Sequence, residues 1–171
     1  MRSFSAFTPI RLALPAALLM LVACAPAPIY TASADTTTAV PSQVSQSPEN
    51  FSQRDVIWGG QIVQARVFAD HSEVELLAYP LDKSQRPKIN DSGNGRFIAV
   101  LPGYAEPLAY PAGALMTVSG KLNGNRAGKV GEADYVFPLV AVSQSHVWTP
   151  EELQKGRNNM RFGVGLGVGI H

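Results

Sequence analysis

The apolar and polar positions of the chain fall into four stretches with different patterns. An apolar run extends from Leu12 to Val22 and follows Arg2 and Arg11. Residues 24–50 contain few large apolar side chains, whereas residues 51–155 contain short apolar runs separated by turn residues. The last stretch, residues 156–171, is rich in glycine. These patterns predict one folded unit, residues 51–155, flanked by segments that do not fold alone.

Five runs within residues 51–155 have the composition of β-strands. One of them alternates acidic residues with Val74 and Leu76, which predicts one face in water and the other in the core. Gly59-Gly60 predicts a bulge or a sharp bend in the first strand, and Pro138 predicts an edge position or a bulge in the fifth. The predicted strands are Asp55–Phe68, Glu73–Tyr79, Arg96–Leu101, Leu115–Leu122 and Tyr135–Val147.

A short helix is predicted after the fifth strand. Thr149-Pro150-Glu151-Glu152 has the order of a capping box with proline at the first helical position, and Gly156 predicts the helix end after little more than one turn. Five strands with a bend in the first, plus one short helix, predict a mainly β fold. The pattern favours a small five-stranded barrel of the oligonucleotide/oligosaccharide-binding type. A small β-sandwich is the alternative.

The N-terminal apolar run ends in Leu21-Val22-Ala23-Cys24, the pattern of a lipobox. The basic start, the apolar run and the small residue Ala23 predict an export signal over residues 1–23, cleaved between Ala23 and Cys24. The run is shorter than the roughly 20 residues that span a bilayer. Cleavage would leave Cys24 for acylation, with membrane lipid and the lipoprotein processing and sorting machinery as partners. The alternative is an ordinary secretory signal with a chance cysteine.

Residues 24–50 are rich in Ala, Ser, Thr and Pro and cannot bury enough apolar surface to fold alone. We therefore expect a flexible tether behind the lipidated cysteine. A chain of this length has a root-mean-square reach of about 25 to 30 Å, enough to hold a domain clear of lipid head groups. The alternative is a poorly conforming N-terminal strand, for which Ile29-Tyr30 is the best candidate.

The charge balance argues against a nucleic-acid partner. Without Arg2 and Arg11, 12 basic residues face 13 acidic ones. The basic residues are scattered singly between acids instead of forming the stripe that nucleic-acid binding needs. Cys24 is the only cysteine, so no disulfide within the chain is expected. Stability is expected to come from a packed core, which an apolar content of 46% permits.

No arrangement of residues predicts catalysis, a metal site or a cofactor. Asp70-His71-Ser72 holds the residue types of a hydrolase triad, but neighbours on a tight turn cannot reach the convergent geometry of a triad. The three histidines lack the close spacing of metal ligands. We expect His146 to make a side-chain hydrogen bond that fixes the corner near Trp148.

Three charged residues in the strands have further interpretations. Glu73 and Glu75 share one strand face, where we expect a solvated surface, although paired acids can also serve a hydrolase. Arg96 has candidate acidic partners in Asp82 and Asp91.

Aromatic side chains exposed on a small barrel would indicate stacking of bases or sugars. The alternation of such residues with polar ones favours a place in the core. The residues concerned are Trp58, Phe97, Tyr104, Tyr110 and Tyr135.

The C-terminal segment alternates apolar side chains with glycine from Phe162 to Ile170. In an extended conformation, this segment would present its side chains on one face and bare backbone on the other. It could then add to a sheet edge, pack on a second copy or lie on lipid. We expect a role in self-association or membrane docking, with a mobile tail as the alternative.

The sequence resembles the Slp family of bacterial outer-membrane lipoproteins, named for starvation-inducible members. The resemblance follows the family's order through most of residues 58–148. Its stretches are Trp58-Gly59-Gly60-Gln61-Ile62, Ala78-Tyr79-Pro80-Leu81-Asp82, Arg86-Pro87, Gly95-Arg96-Phe97-Ile98-Ala99, Thr117-Val118-Ser119-Gly120, Val130-Gly131-Glu132-Ala133-Asp134-Tyr135, Pro138-Leu139-Val140 and His146-Val147-Trp148. The resemblance implies a small β-barrel-like lipoprotein held at the outer membrane, and no catalytic residue is carried over from the family.

Sorting of the lipoprotein follows from the residue after Cys24. In enteric-type bacteria an aspartate at that position favours retention in the inner membrane, and here the position is Ala25. We therefore expect the periplasmic face of the outer membrane.

Three functions are compatible with the sequence. The leading one is a non-enzymatic envelope lipoprotein, structural or partner-binding, with a link to starvation or other stress suggested by the family resemblance. The second is a module that binds periplasmic oligosaccharide or peptidoglycan fragments through an aromatic face. The third is a periplasmic hydrolase, which the shortage of histidines disfavours.

Overall fold

A computed structural model describes residues 27–158 of the chain. The fold is mainly β, as the alternating apolar runs predict. The strands are β1 (Asp55–Val67), β2 (His71–Ala78), β3 (Arg96–Pro102), β4 (Leu115–Val130) and β5 (Ala133–Val147). Two helices, α1 (Pro41–Gln46) and α2 (Pro150–Asn158), accompany 3-10 turns at Pro48–Phe51 and Pro107–Ala109. Within residues 27–158, no helix has the length and apolar character to cross a membrane.

The five strands form one sheet that closes on itself in a ring. Their order around the ring is β1-β2-β3-β5-β4, with β4 returning to β1. The β3–β5 pair is parallel and short, and the other pairs are antiparallel. The favoured prediction, a small mainly β fold whose five strands close on themselves, is confirmed, although the ring is not a regular barrel. The β-sandwich alternative is wrong.

Gly59-Gly60 lies where β1 changes its pairing from one neighbouring strand to the other. The first half of β1 pairs with β4 and the second half pairs with β2, so that Gly60 faces both Met116 and Ala78. A side chain at Gly60 would clash with the carbonyl oxygen of Leu77. The glycine pair therefore permits close approach of three strands, and the irregularity of the β1–β2 ladder follows two residues later, between Ile62 and Gln64.

Pro138 lies beside an irregularity in the long β4–β5 ladder. Pro138 pairs with Asn125, and the register shifts between Leu122 and Asn125. The predicted bulge is confirmed, because the extra residue in β4 lies where proline cannot donate a ladder hydrogen bond.

The core fills the inside of the ring. Val74 and Leu76 of β2 are fully buried, as the alternation with acidic residues predicts. Trp58 of β1 meets Phe97 of β3 edge to face, with ring centroids 5.2 Å apart.

Residues 27–50 differ from the tether that was predicted for residues 24–50. Helix α1 buries Pro41 and Val44 against the core, and Val44 is only 2% exposed. Trp58 Nε1 donates a hydrogen bond to the Ala39 carbonyl at 2.9 Å, and Thr36 pairs with Asp55 in a parallel bridge. A few apolar residues are enough to hold this segment in place, because they are buried against the apolar core of the ring.

Two element ends also differ from prediction. Strand β4 continues past Leu122 to Val130, and β5 begins at Ala133, before Tyr135. Together these extensions form an arm that is closed by a turn at Gly131-Glu132. Gly131 has a φ of 61°, which suits glycine in such a turn. Helix α2 continues through Gly156 to Asn158 instead of ending at that glycine. The C-terminal segment 159–171 lies outside the described residues.

Candidate functional site

Gln85 holds the N-terminal segment on the domain. Its Oε1 accepts a hydrogen bond from the Tyr30 backbone N–H at 2.7 Å, and its Nε2 donates to the Tyr30 carbonyl at 2.8 Å. The Gln85 carboxamide therefore bonds both the backbone N–H and the backbone carbonyl of Tyr30, as a residue of a neighbouring strand would. Burial raises the pKa of the Tyr30 hydroxyl, since the ring is partly removed from water.

A chain of hydrogen bonds connects Gln85 to the centre of the sheet. The Gln85 carbonyl accepts from Thr117 Oγ1 at 2.7 Å, and Thr117 Oγ1 accepts from Trp148 Nε1 at 3.0 Å. Thr117 is fully buried and Trp148 is 8% exposed. Gln85 itself has a φ of 65°, a backbone conformation uncommon for a residue other than glycine. The loop between β2 and β3 is thus fixed to the ring at the residue that holds Tyr30.

The same loop is braced internally by Asp82 and Arg86. Arg86 Nε and Nη2 donate to Asp82 Oδ2 at 3.1 and 2.8 Å, and Asp82 Oδ1 accepts from the backbone N–H groups of Ser84 and Arg86. Arg86 Nη1 also lies 3.5 Å from the Leu153 carbonyl of α2. These contacts hold the loop and the last helix together on one side of the ring.

A cleft of about 230 Å³ lies between the N-terminal segment and the β2–β3 loop. Its lining is largely apolar, with Trp58 below and the stretches 37–41 and 78–81 on its sides. The Trp58 indole N–H is already bonded to Ala39, so the ring presents little polar surface to the cleft. This opening has the character of a packing gap between segments, without a convergent set of polar groups.

Glu73 on β2 is bound by Arg126 from the β4–β5 arm. Arg126 Nη1 and Nη2 donate to the two carboxylate oxygens at 2.7 and 2.6 Å. The Glu73 side chain is only 5% exposed, and the pair joins two strands that are not neighbours in the ring. Hydrogen bonding to Arg126 lowers the pKa of Glu73. The expectation of a solvated surface at Glu73 is therefore wrong.

His71 extends this cluster toward water. Its Nδ1 lies 2.7 Å from Asp70 Oδ1, and its Nε2 lies 3.3 Å from Glu73 Oε1. The hydrogen bond with Asp70 is the main cause that raises the pKa of His71, and it also lowers the pKa of Asp70. The Phe68 ring stacks on the imidazole, with centroids 4.6 Å apart.

Glu75 has its own basic partner. Arg96 Nη1 donates to Glu75 Oε1 at 2.6 Å, and Gln64 Nε2 donates to Glu75 Oε2 at 2.6 Å. The suggested pairing of Arg96 with Asp82 or Asp91 is wrong, because Asp82 binds Arg86 and Asp91 binds Lys88. Each of the two glutamates on β2 thus faces a guanidinium.

Ser72 lies apart from the imidazole of His71. Ser72 Oγ donates to the Gly103 carbonyl at 3.0 Å and accepts from the Ala105 N–H at 2.9 Å. The serine therefore fixes the loop after β3, and the three neighbours Asp70, His71 and Ser72 do not form a nucleophile and base. Within residues 27–158, no group of three or more metal-ligating side chains is placed to hold a metal ion.

The corner between β5 and α2 has the hydrogen bond that we expected of His146. His146 Nε2 lies 3.2 Å from Glu152 Oε2, and the imidazole packs edge to face on Trp148 at 4.7 Å. Thr149 N–H donates to Glu152 Oε2 at 2.8 Å, while Glu152 N–H donates to Thr149 Oγ1 at 3.3 Å. The predicted capping box is confirmed.

The five aromatic residues named above divide between core and surface. Trp58 and Phe97 are buried, Tyr110 and Tyr135 are half-buried, and Tyr104 is 70% exposed. Tyr135 Oη accepts from the Arg96 N–H at 2.9 Å and donates to the Arg96 carbonyl at 3.1 Å, which fixes the start of β3. These five residues therefore do not form an aromatic groove.

The sequence alone does not single out Gln85 or Arg126. Gln85 contacts Tyr30 across 55 residues, and Arg126 contacts Glu73 across 53 residues. A glutamine in a polar loop carries no local pattern, so only the fold reveals these contacts. Ala23 and Cys24, the predicted cleavage and lipidation residues, lie outside the described residues.

The comparisons with known proteins bear on both the ring and the N-terminus. A family model described as the outer membrane lipoprotein Slp family matches residues 21–164, which include the lipobox, the Gln85 loop and all five strands. The chain belongs to this family. The resemblance seen in the sequence is thereby confirmed, and the protein is an Slp-family lipoprotein.

Several relatives are similar to this Slp-family chain. An uncharacterized protein of Haemophilus influenzae is 35% identical over 92 residues, 53% of this chain and 50% of the relative. The uncharacterized lipoprotein YeaY of Escherichia coli K12 is 28% identical over 106 residues, 62% of this chain and 54% of YeaY. Outer membrane protein Slp of Escherichia coli K12 is 23% identical over 117 residues, 68% and 62% of the two chains. Each match spans less than two thirds of the relative's length.

Proposed function

We propose that this protein is a non-enzymatic lipoprotein of the cell envelope, anchored to the periplasmic face of the outer membrane through acylated Cys24. The observation that carries the proposal is the lipobox Leu21-Val22-Ala23-Cys24 within a chain of the outer membrane lipoprotein Slp family. The relative Slp is described as an outer membrane protein and YeaY as a lipoprotein. Ala25 after the cysteine supports sorting to the outer membrane.

A structural or partner-binding role fits the charges on β2 better than hydrolysis. A general acid needs a carboxyl whose pKa is raised, whereas Arg126 lowers the pKa of Glu73. Both carboxylate oxygens of Glu75 accept hydrogen bonds, one from Arg96 and the other from Gln64. The carboxylates of Glu73 and Glu75 stabilise the ring by joining its strands. We also propose a role under starvation, which rests on the family name alone.

Replacement of Cys24 tests the anchor. We expect wild-type protein to carry an acylated mature N-terminus at residue 24 and to sediment with outer membranes on a density gradient. Cys24→Ser removes the thiol that forms the thioether, so this variant should stay unacylated and leave that fraction. Mass spectrometry of the mature protein and fractionation give both results. A soluble, unacylated wild type would contradict the proposal.

A further inference from the structure

The attachment of Tyr30 to Gln85 shortens the distance over which the lipid anchor can move. Residues 31–50 follow the ring through the Thr36–Asp55 bridge, the Ala39–Trp58 hydrogen bond and helix α1. Any part of the chain between the lipid and these contacts therefore lies N-terminal to Tyr30. Tyr30 lies six positions after Cys24, with five residues between them. Six fully extended peptide steps cover at most about 20 Å.

This span is short compared with the domain. A compact chain of the described length has a radius of gyration of about 14 Å, hence a width of about 35 Å. A tether of at most about 20 Å keeps the point of attachment close to lipid, while the opposite end of the ring lies a full domain width away. The side of the domain that carries Tyr30 and Gln85 is thus the side nearest the membrane.

The β2–β3 loop, residues 79–95, carries Gln85 and therefore lies on this side, next to α2. It carries Lys83, Arg86 and Lys88 against Asp82 and Asp91, a basic excess of one. Lys83 is exposed, and the Lys88 side chain is 46% exposed beside Asp91. Exposed lysines are attracted to an anionic lipid surface.

Apolar side chains accompany these lysines. Ile89 in the loop is 48% exposed, and Ile29 beside Tyr30 is 38% exposed. Isoleucine next to lysine suits the boundary between head groups and acyl chains, where the apolar part inserts and the ammonium remains with phosphate. Short tethers give effective concentrations in the millimolar range, so contacts too weak for a free protein suffice here.

We propose that the β2–β3 loop, with Ile29, is a docking surface for the lipid head groups of the leaflet that holds Cys24. Gln85 fixes the orientation because it connects this loop to Tyr30. The inference rests on the proposed lipid anchor and adds a defined membrane-facing side. The β3–β4 loop, residues 103–114, leaves the sheet at the other end of β3, so this orientation would place the start of that loop away from the lipid.

Site-specific quenching tests this orientation. Acylation consumes the thiol of Cys24, the only cysteine, so an introduced cysteine is the single labelling site. Ile89→Cys places a fluorophore in the docking surface, and Leu108→Cys, where the native side chain is 85% exposed, is the matched control at the far end. The acylated proteins are placed in phosphatidylethanolamine and phosphatidylglycerol vesicles that contain a lipid with a quencher on its head group.

We expect the label at residue 89 to be quenched severalfold more than the label at residue 108. Gln85→Ala added to Ile89→Cys releases Tyr30 and should reduce the difference, because the free tether lengthens. Equal quenching at the two sites, or stronger quenching at 108, in protein that is acylated and floats with the vesicles would overturn the orientation alone. Protein without acyl mass that does not float would refute the anchor, and this inference with it.

Discussion

At the scale of single residues, two charged pairs between distant parts of the chain join β2 to the rest of the domain. Glu73 is nearly buried and binds Arg126 through both carboxylate oxygens. Burying a carboxylate is costly unless such a partner compensates for the lost water. The pair therefore stabilises the contact between the β4–β5 arm and β2 only while Glu73 is ionised.

Glu73→Gln tests this pair through its pH dependence. The hydrogen bonds from Arg126 place the folded-state pKa of Glu73 below its unfolded value. Its contribution is therefore present above that value and is lost as pH falls through the folded-state pKa. We expect the variant to lose about 1.5 to 3 kcal/mol of unfolding free energy at neutral pH, measured by urea unfolding.

The same measurements at acid pH complete the test. The difference from wild type should shrink there, since protonated glutamate and glutamine are then alike. Glu132→Gln, at the exposed turn of the arm, is the control and should change little at either pH. A constant difference at all pH values would contradict the assignment to ionisation.

Local contacts were predictable at this scale and distant ones were not. Thr149 and Glu152 are three residues apart, so their reciprocal hydrogen bonds follow from sequence order alone. The burial of Glu73 does not follow, because alternation along β2 places it on the outer face and says nothing of an arm that covers that face. Alternation along a strand tells which side chains face the core of a single sheet. It does not tell that the β4–β5 arm forms a second layer over the outer face of β2.

At the scale of elements, the strands were predictable because each buries one face in a shared core. Helix α1 was not, since it has only six residues and its sequence is mainly polar and small. Such a short segment has little helical stability by itself, and packing must supply the rest. Val44 and Pro41 provide that packing by entering the core beside Trp58.

Val44→Ala measures how much α1 contributes to the domain. Removing two buried methyl groups from a side chain that is 2% exposed should lower the free energy of unfolding by about 1 to 3 kcal/mol. Gln46→Ala, on the exposed side of the same helix, is the matched control and should be nearly neutral. Equal stability of both variants in urea would indicate that α1 is a tether after all.

At the scale of the whole molecule, the lipobox and the ring give two parts with different tasks. In the proposed function, the N-terminus determines in which membrane the protein is held, and the ring determines which surface it presents there. Ala25 belongs to the first part, outside the described residues. Its effect on location can therefore be changed without altering a contact described in the ring.

Ala25→Asp tests the sorting. We expect this variant to keep its acyl mass and to move from the outer-membrane to the inner-membrane fraction on a density gradient, because aspartate after the lipidated cysteine favours retention. Ala25→Ser is the control and should stay with the outer membrane. An Asp variant that remains with the outer membrane would show that the host does not apply this rule to the protein.

The hydrogen bonds from Tyr30 through Gln85 to Thr117 also determine how the fold bears mechanical load. A pull on the domain from the envelope side would reach the chain at Tyr30 and act on two parallel hydrogen bonds to one carboxamide. Gln85 passes the load to Thr117, which is fully buried in β4. Tension on a lipid anchor would thus reach the buried part of the sheet before it reached α1, and α1 would keep its place on the core for as long as the two hydrogen bonds hold.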